Sequence, residues 1–374
     1  MKIARLLLIL LLLVAGLTSS VYAEEPPEVS AVSFILMDAA SGRTLTAQNE
    51  DDPRLIASTT KIMTALITLE RCDPDTEVEI EPAWTGIEGS TMYLEPGQVM
   101  TVRDLLYGLM LASGNDAAVA LACITAGDVE SFAALMNERA EELGCEHTHF
   151  ENPNGLDSDE HYSCARDLAL IAREAIQNEE FRRIVSTSSA TVCGMTFTNH
   201  NRLLRECEGV FGVKTGYTEA AGRTLVTCCE RDGITLICVT LSDPDDWNDH
   251  TALYDWAYRE YVWDDAGRNV TWSVPVIGGE AETVTVAAAD GASVLRSEED
   301  TVETRVQLPS FVFPPVERGG SAGEIAVYVN GIKSASAPLG FTEPVGRSDA
   351  DAPTLWDRLR FLGSLSERKI FAFL

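Results

Sequence analysis

The order of strand-like and helix-like segments is the feature that most restricts the fold of this chain. Apolar, β-rich segments lie at both ends of a long stretch, at 31–38, 43–47, 210–217, 223–229 and 234–241. Helical spacing of apolar residues begins at Ser58 and recurs at 102–112, 115–124, 129–143, 164–177 and 249–261. Helices flanked by strands from both ends predict a mixed α/β domain. Gly and Asp-Gly breaks between the last three strands predict that these strands are antiparallel.

The composition changes near Gly267. Residues 270–344 are rich in Val and Thr, have frequent turn residues and show no long helical period, which predicts a separate small all-β domain. The predicted organisation is a mixed domain over 24–266, a β-domain over 267–347, and a linker with an amphipathic segment over 348–374.

The first 23 residues have the three parts of a secretory signal peptide. Lys2 and Arg5 form a basic region, residues 6–13 are an unbroken apolar run, and residues 21–23 offer a small-x-small cleavage site. The apolar run is shorter than the roughly 20 residues of a membrane span. We therefore predict export with cleavage after Ala23, rather than an uncleaved anchor.

Charge and cysteine usage limit the partners of the chain. The net charge of −30, from 58 acidic and 28 basic side chains, repels nucleic acid, so we predict no nucleic-acid partner. The nine cysteines are odd in number, and Cys123 and Cys238 lie in apolar helix-like and strand-like runs. We expect buried thiols, with one surface disulfide left open as the alternative. The five histidines lack zinc-ligand spacing, so we predict neither a metal nor another cofactor.

Ser58-Thr59-Thr60-Lys61 is the first segment with the residue types of a reactive centre. A serine hydroxyl becomes a nucleophile when a base takes its proton. If Ser58 begins a helix, Lys61 lies one turn further on the same face, and its amine can be that base once burial lowers its pKa. The helix amino terminus also offers N–H groups to a developing oxyanion. The alternative is structural, with Ser58 as a helix cap and Lys61 as a solvated charge.

A second segment, Ser113-Gly114-Asn115, interrupts two apolar helical runs. In a functional interpretation, Ser113 relays a proton to the leaving amine, and Asn115 holds a substrate amide or Lys61. The alternative is a turn with a cap.

The third segment, Lys214-Thr215-Gly216, lies inside a strand-like run. Lys214 would supply positive charge, Thr215 a hydroxyl for a carboxylate, and Gly216 room for the substrate backbone. The alternative is an exposed strand end with a bulge at Gly216.

In this order and spacing, the three segments resemble the Ser-x-x-Lys, Ser-x-Asn and Lys-Thr-Gly motifs of penicillin-binding proteins. The sequence resembles the low-molecular-mass serine D-alanyl-D-alanine carboxypeptidases, strongly over about 30–265 and more loosely over the β-domain. The similar stretches are 56–66, 111–117, 152–156, 161–163 and 212–218. The resemblance implies an α/β (α+β) penicillin-binding/β-lactamase-like transpeptidase fold, in which a helical subdomain packs on an antiparallel sheet.

The reaction implied by the resemblance is removal of the terminal D-alanine from peptidoglycan pentapeptide stems, with β-lactams as covalent inhibitors. The implied location is the outer face of the cytoplasmic membrane, the cell wall or the periplasm. The resemblance implies that Ser58 is the acylated nucleophile, Lys61 the general base and Ser113 the proton relay. Asn115 would position the substrate and the base. The substrate-binding residues would be Lys214, Thr215, Gly216 and Tyr217. The backbone N–H groups of Ser58 and Tyr217 would form the oxyanion hole.

This chain departs from some of those relatives at the substrate carboxylate. They use an arginine beyond the Lys-Thr-Gly strand, whereas no Arg or Lys occurs here between Gly233 and Tyr258. Thr215 and Lys214 are then left to bind the carboxylate, with Arg223 as a candidate helper. Residues 152–156 and His161 are either a loop near the site or a plain surface turn.

Other functions use the same motifs. A D,D-endopeptidase that cuts cross-links needs the same machinery, and an inactive penicillin-binding protein would keep the fold. A class A β-lactamase also needs a glutamate in a Glu-x-x-x-Asn loop. The one such pattern here, Glu174 to Asn178, lies in an apparent helix about 60 residues past Ser113.

Residues 354–374 combine apolar side chains with four basic ones, Arg358, Arg360, Arg368 and Lys369. The segment has too many charges to span a bilayer, so it is predicted to lie in the membrane interface as an amphipathic anchor. The alternatives are a helix packed on the protein itself and a frayed tail.

Overall fold

The computed structural model describes residues 24–348. The predicted signal peptide and the predicted membrane anchor both lie outside these residues. The α-helices are α1 (Lys61–Arg71), α2 (Val102–Leu111), α3 (Asn115–Ala126), α4 (Val129–Glu142), α5 (Ala165–Ala175), α6 (Glu179–Val185), α7 (Leu203–Glu206) and α8 (Asp246–Glu260). Two short 3-10 turns lie at Ala57–Thr60 and Pro82–Trp84.

The strands of the first half are β1 (Ser33–Asp38), β2 (Thr44–Gln48), β3 (Glu77–Glu79), β4 (Val99–Thr101), β5 (Ser189–Val192), β6 (Met195–Thr198), β7 (Val210–Thr218), β8 (Gly222–Arg231) and β9 (Ile234–Leu241). Those that follow are β10 (Val262–Ala266), β11 (Thr271–Pro275), β12 (Thr283–Ala288), β13 (Ala292–Arg296), β14 (Val302–Gln307), β15 (Ser321–Val329) and β16 (Ile332–Phe341).

The central sheet joins strands from the two ends of the mixed domain. Its order is β2-β1-β9-β8-β7, and every pairing is antiparallel. β1 is buried along its whole length, with Ile35 and Met37 on one face and Phe34 and Leu36 on the other. Because side chains alternate along a strand, a segment that is apolar at every position requires cover on both faces. β7 lies at one edge of the sheet.

Each face of the sheet has its own helical cover. The larger core packs α1–α6 together and places α5 against β1 and β9. The smaller core packs α8 against β8 and β9 through Leu253, Tyr254 and Trp256. Among residues 24–348, no helix alone is long and apolar enough to cross a membrane, and α3 with α4 passes such a test only as a pair bent by 82°.

The β-rich part that follows is a separate layer with its own core. It contains a five-stranded sheet, β11-β12-β16-β15-β14, and a two-stranded sheet, β10-β13. The Arg43 guanidinium ties it to the mixed domain, with nitrogen–oxygen distances of 2.7 and 2.9 Å to Asp300 and 3.1 Å to the Leu295 carbonyl. The predicted division at 266/267 falls at the end of β10 and remains a prediction.

The elements predicted from apolar periodicity are present, with ends displaced by a few residues. Ser58 lies in the 3-10 turn that precedes α1 rather than in an α-helix. The short elements α6 and α7 and the hairpins β3–β4 and β5–β6 were not predicted. The nine cysteines are free thiols, of which five are buried, three are half-buried and one, Cys193, is exposed.

Candidate active site

The turn that holds Ser58 is shaped by its neighbours rather than by helix propensity alone. Ala57 has a left-handed φ of +48°, which few residues with a side chain adopt. The Thr60 hydroxyl donates to the Ala57 carbonyl oxygen at 2.8 Å, and α1 starts at the next residue. Ser58 is therefore presented half-exposed at the end of a rigid turn.

Lys61 is fully buried, and its amine lies among three oxygens. Lys61 Nζ is 3.0 Å from Ser58 Oγ, 2.7 Å from Asn115 Oδ1 and 2.5 Å from the Asn154 carbonyl oxygen. Burial lowers the pKa of the Lys61 amine well below that of an ordinary lysine, and the nearby Lys214 lowers it further. Asp116 acts in the opposite direction as a weaker influence. The lowered pKa favours the neutral amine, which is the form that can accept a proton.

Ser113 and Asn115 lie where α2 passes into α3, as the sequence predicted for an interhelical turn. Ser113 has a φ of +59°, and Asn115 is the first residue of α3. The Asn115 amide accepts from Lys61 and donates to the Glu88 carbonyl oxygen at 2.6 Å. Asn115 therefore joins the amine to the loop that precedes β4.

β7 brings Lys214, Thr215 and Gly216 alongside the serine turn. Lys214 is buried and donates to the Thr215 carbonyl oxygen at 2.8 Å, and burial lowers the pKa of its amine to about 7. A methyl group at Gly216 would lie 3.0 Å from the Ser58 backbone nitrogen and 2.4 Å from Thr224 Oγ1. Only glycine lets the strand pass this close to the nucleophile turn.

A cavity of about 330 Å³ opens over Ser58. It is lined by residues of the serine turn, the loop before β4, the α2–α3 connection, the segment before α7, β7, β8 and the start of α8; these are Ser58, Ser90, Ser113, His200, Thr215, Gly216, Tyr217, Arg223, Asp246 and Trp247. Lys61, Asn115 and Lys214 lie behind this lining. The eight predicted site residues thus come together around one cavity.

Arg223 lines the cavity and forms a salt bridge with Asp246. Its Nη2 lies 2.8 and 2.9 Å from the two carboxylate oxygens of Asp246, and its guanidinium lies 5.3 Å from the centre of the Trp247 ring. Its buried Nε has no hydrogen-bond partner within residues 24–348. Burial lowers the pKa of the His200 imidazole, and Lys214 lowers it further, so His200 is neutral at pH 7. Among these cavity-lining side chains, Arg223 supplies the guanidinium, whose planar set of N–H donors suits a carboxylate.

Sequence reasoning left residues 152–156 and His161 open, and the structure shows that they are not a surface turn. Asn154 and His161 are buried, and the Asn154 carbonyl oxygen accepts from Lys61. His161 Nδ1 accepts from the Glu151 N–H at 3.1 Å, which leaves its Nε2 to donate to the Thr60 hydroxyl at 2.8 Å. These residues form the rear support of the serine turn. Their buried partners lie about 90–100 residues away in the chain. A single sequence does not reveal contacts between residues so far apart.

Known proteins resemble this chain in sequence and in structure. The profile of the D-alanyl-D-alanine carboxypeptidase family, peptidase S11, matches residues 20–245. The D-alanyl-D-alanine carboxypeptidase DacF of Bacillus subtilis is 31% identical over 336 residues, which are 85% of this chain and 86% of the relative. The chain belongs to the D-alanyl-D-alanine carboxypeptidase family.

Two further members of the family show how far the likeness reaches. The D-alanyl-D-alanine carboxypeptidase DacD of Escherichia coli is 39% identical over 256 residues, 63% of this chain and 66% of that one. The crystal structure of penicillin-binding protein 5 from Haemophilus influenzae superposes with a TM-score of 0.70 at 29% identity, covering 87% of this chain and all of that one. The predictions of the family, of a serine-type hydrolase and of the fold are confirmed.

Proposed function

We propose that this D-alanyl-D-alanine carboxypeptidase removes the terminal D-alanine from peptidoglycan pentapeptide stems through an acyl-enzyme on Ser58. The observation that carries the proposal is the buried Lys61 amine, 3.0 Å from Ser58 Oγ at the floor of the cavity. A neutral lysine amine has two N–H groups and one lone pair. Asn115 Oδ1 and the Asn154 carbonyl oxygen accept the two N–H groups, so the lone pair is left for the Ser58 hydroxyl.

In the proposed mechanism, Ser58 Oγ attacks the carbonyl carbon of the penultimate D-alanine while Lys61 takes its proton. The N–H groups of Ser58 and Tyr217 stabilise the oxyanion, and Ser113 relays a proton to the departing D-alanine. Water then hydrolyses the ester and frees Ser58. Asn115 holds Lys61 and the substrate amide throughout.

We assign the terminal carboxylate of the substrate to Thr215, Lys214 and Arg223. Thr215 and Arg223 line the cavity, and Lys214 lies behind it with a pKa of about 7. Residues 233–258 contain no Arg or Lys that could bind the carboxylate instead. Arg223 lines the cavity and is held in place by Asp246 and Trp247, which favours a fixed rather than a mobile anion site.

Ser58→Ala should abolish D-alanine release from a pentapeptide ending in D-Ala-D-Ala, and also labelling by a fluorescent penicillin, because both need the same oxygen. The expected loss of activity is roughly 10³-fold or more. Ser90→Ala is the matched control, because Ser90 lines the same cavity but contributes its backbone carbonyl to Asn115. Undiminished labelling of a folded Ser58→Ala protein would refute the assignment. Cleavage of a cross-linked dimer but not of the pentapeptide would favour the endopeptidase alternative.

The pH dependence of kcat/KM should report the protonation of the Lys214 amine. If the charged amine binds the substrate carboxylate, kcat/KM falls as pH rises through about 7, where Lys214 loses its proton. Lys214→Arg keeps the charge, so the alkaline fall should move to higher pH by more than about one unit. Arg223→Gln should lower kcat/KM at least about tenfold at every pH while leaving that fall in place. A Lys214→Arg profile that falls at the wild-type pH would show that another group titrates there.

We also propose that the protein is exported and binds the outer face of the cytoplasmic membrane through residues 354–374. The support is the basic, apolar composition of this segment at the end of a chain with a net charge of −30. Mature protein 24–374 should sediment with anionic liposomes at low salt, and the version 24–350 should not, while both keep activity on soluble peptide. If both versions stay in the supernatant, the anchor proposal is wrong.

A further inference from the structure

A second group of reactive side chains lies in the core between the central sheet and α8. Cys207 follows α7, and the hydrogen bond from the Val210 N–H to its carbonyl folds the chain back to β7. Val210 pairs with Cys229 of β8. The Glu208 carbonyl oxygen is 4.0 Å from the Cys207 sulfur and 3.3 Å from the Cys229 sulfur. The two sulfurs thus border the same carbonyl oxygen, which places them close together.

A fixed guanidinium borders this pair. Arg231 Nη2 is 3.5 Å from the Cys207 sulfur, and Arg231 Nε donates to the Glu208 carbonyl oxygen at 2.9 Å. Asp255 accepts from Arg231 Nη1 at 2.8 Å, and the Tyr258 ring lies under the guanidinium at 4.8 Å. The cation is thereby held against one sulfur of the two.

The two thiols differ in acidity as a result. The neighbouring Cys229 thiol lowers the pKa of the Cys207 thiol to about 6, and the charge of Arg231 adds to that effect. The neighbouring Cys207 and burial raise the pKa of the Cys229 thiol far above that of an ordinary thiol. A pair with one thiolate and one adjacent thiol has the division of roles that thiol–disulfide exchange requires.

The neighbouring cysteine provides a contrast. Cys228 precedes Cys229 in β8, so it faces the opposite core, and burial raises the pKa of its thiol. Cys193, in the β5–β6 hairpin, is the exposed cysteine among residues 24–348. Within residues 24–348, neither the Cys228 nor the Cys193 sulfur has a hydrogen bond from a guanidinium, in contrast to Cys207.

We propose that Cys207 and Cys229 are a redox-active dithiol, with Cys207 as the attacking thiolate and Cys229 as the resolving thiol. The oxidant is a small-molecule or protein disulfide met on export. The Cys207 thiolate attacks one sulfur of that disulfide, forming a mixed disulfide and releasing the other sulfur as a thiolate. Cys229 gives its proton to the released thiolate and attacks the Cys207 sulfur, which expels the second thiolate. That thiolate takes up, through solvent, the proton that Cys207 had lost. Two protein thiols are oxidised, and one disulfide is reduced to two thiols.

The closed bond would fasten the start of β7 to β8, away from Ser58. Labelling of Ser58 by a fluorescent penicillin should therefore stay within about twofold of the reduced protein. The proposal rests on the proposed export for its oxidant but needs no peptidase activity, so the disulfide map can fail without affecting the assignment of Ser58.

The test is a disulfide map of the mature protein, first reduced and then exposed to glutathione disulfide at pH 7. After alkylation of the remaining thiols and digestion with trypsin, peptides 206–214 and 224–231 should appear as one cross-linked species. Cys228 shares the second peptide with Cys229, so Cys228→Ala is the matched control and should keep the cross-link. Cys229→Ala should lose it and accumulate glutathione on Cys207.

Three results would overturn the proposal. The first is that both peptides stay alkylated in the wild type while Cys193 takes up glutathione. The second is a cross-link that disappears in Cys228→Ala. The third is glutathione retained on Cys207 of the wild type, which would deny Cys229 its resolving role. The wild-type and Cys228→Ala maps decide the matter even if Cys229→Ala does not fold.

Discussion

The Lys61 amine is sealed from water, and the active site is arranged around that constraint. Keeping an ammonium ion in such a place costs several kcal/mol, so the protein instead favours the neutral amine. A neutral amine still needs acceptors for its two N–H groups. Asn115 at the start of α3 and the Asn154 carbonyl provide them, from segments 54 and 93 residues further along the chain. The folding of the helical subdomain therefore creates the buried site in which Lys61 can act as the base that we propose for Ser58.

The serine turn is supported from both sides at very short range. A methyl group at Gly155 would lie 1.9 Å from the Ala57 carbonyl oxygen, and one at Gly216 would lie 3.2 Å from the Ala57 side chain. His161 holds the Thr60 hydroxyl, and Thr60 in turn holds the Ala57 carbonyl. Ala57 keeps its left-handed backbone because these neighbours leave it no other conformation. A rigid turn fixes the distance between Ser58 and Lys61, which catalysis by positioning requires.

The sequence was sufficient for the long elements and for the motif residues, because both are local signals. Helical spacing in 102–143 and β-rich runs in 210–241 depend on burial of one face or of both, and the three motifs have fixed short spacing. The sequence did not reveal contacts between residues that are far apart along the chain. Asn154 reaches Lys61 through its backbone carbonyl, which any residue carries, and His161 looks like an ordinary loop histidine until its burial is known. The pairing of Arg223 with Asp246 likewise joins β8 to α8. The sequence therefore revealed the charge of Arg223 but not its partner.

Direct titration of Lys61 tests whether its amine is the base beside Ser58. The chain has five lysines, at 2, 61, 214, 333 and 369, so protein labelled with 13C at the lysine ε-carbons gives few signals. The Lys61 signal can be assigned by its absence from a Lys61→Arg protein. We predict that this signal titrates well below 10.5, while the exposed Lys333 titrates above 10.5 because of its ion pair with Glu324. A Lys61 ε-carbon that reports a charged amine up to pH 10 in the folded, active protein would contradict the assignment of Lys61 as the base.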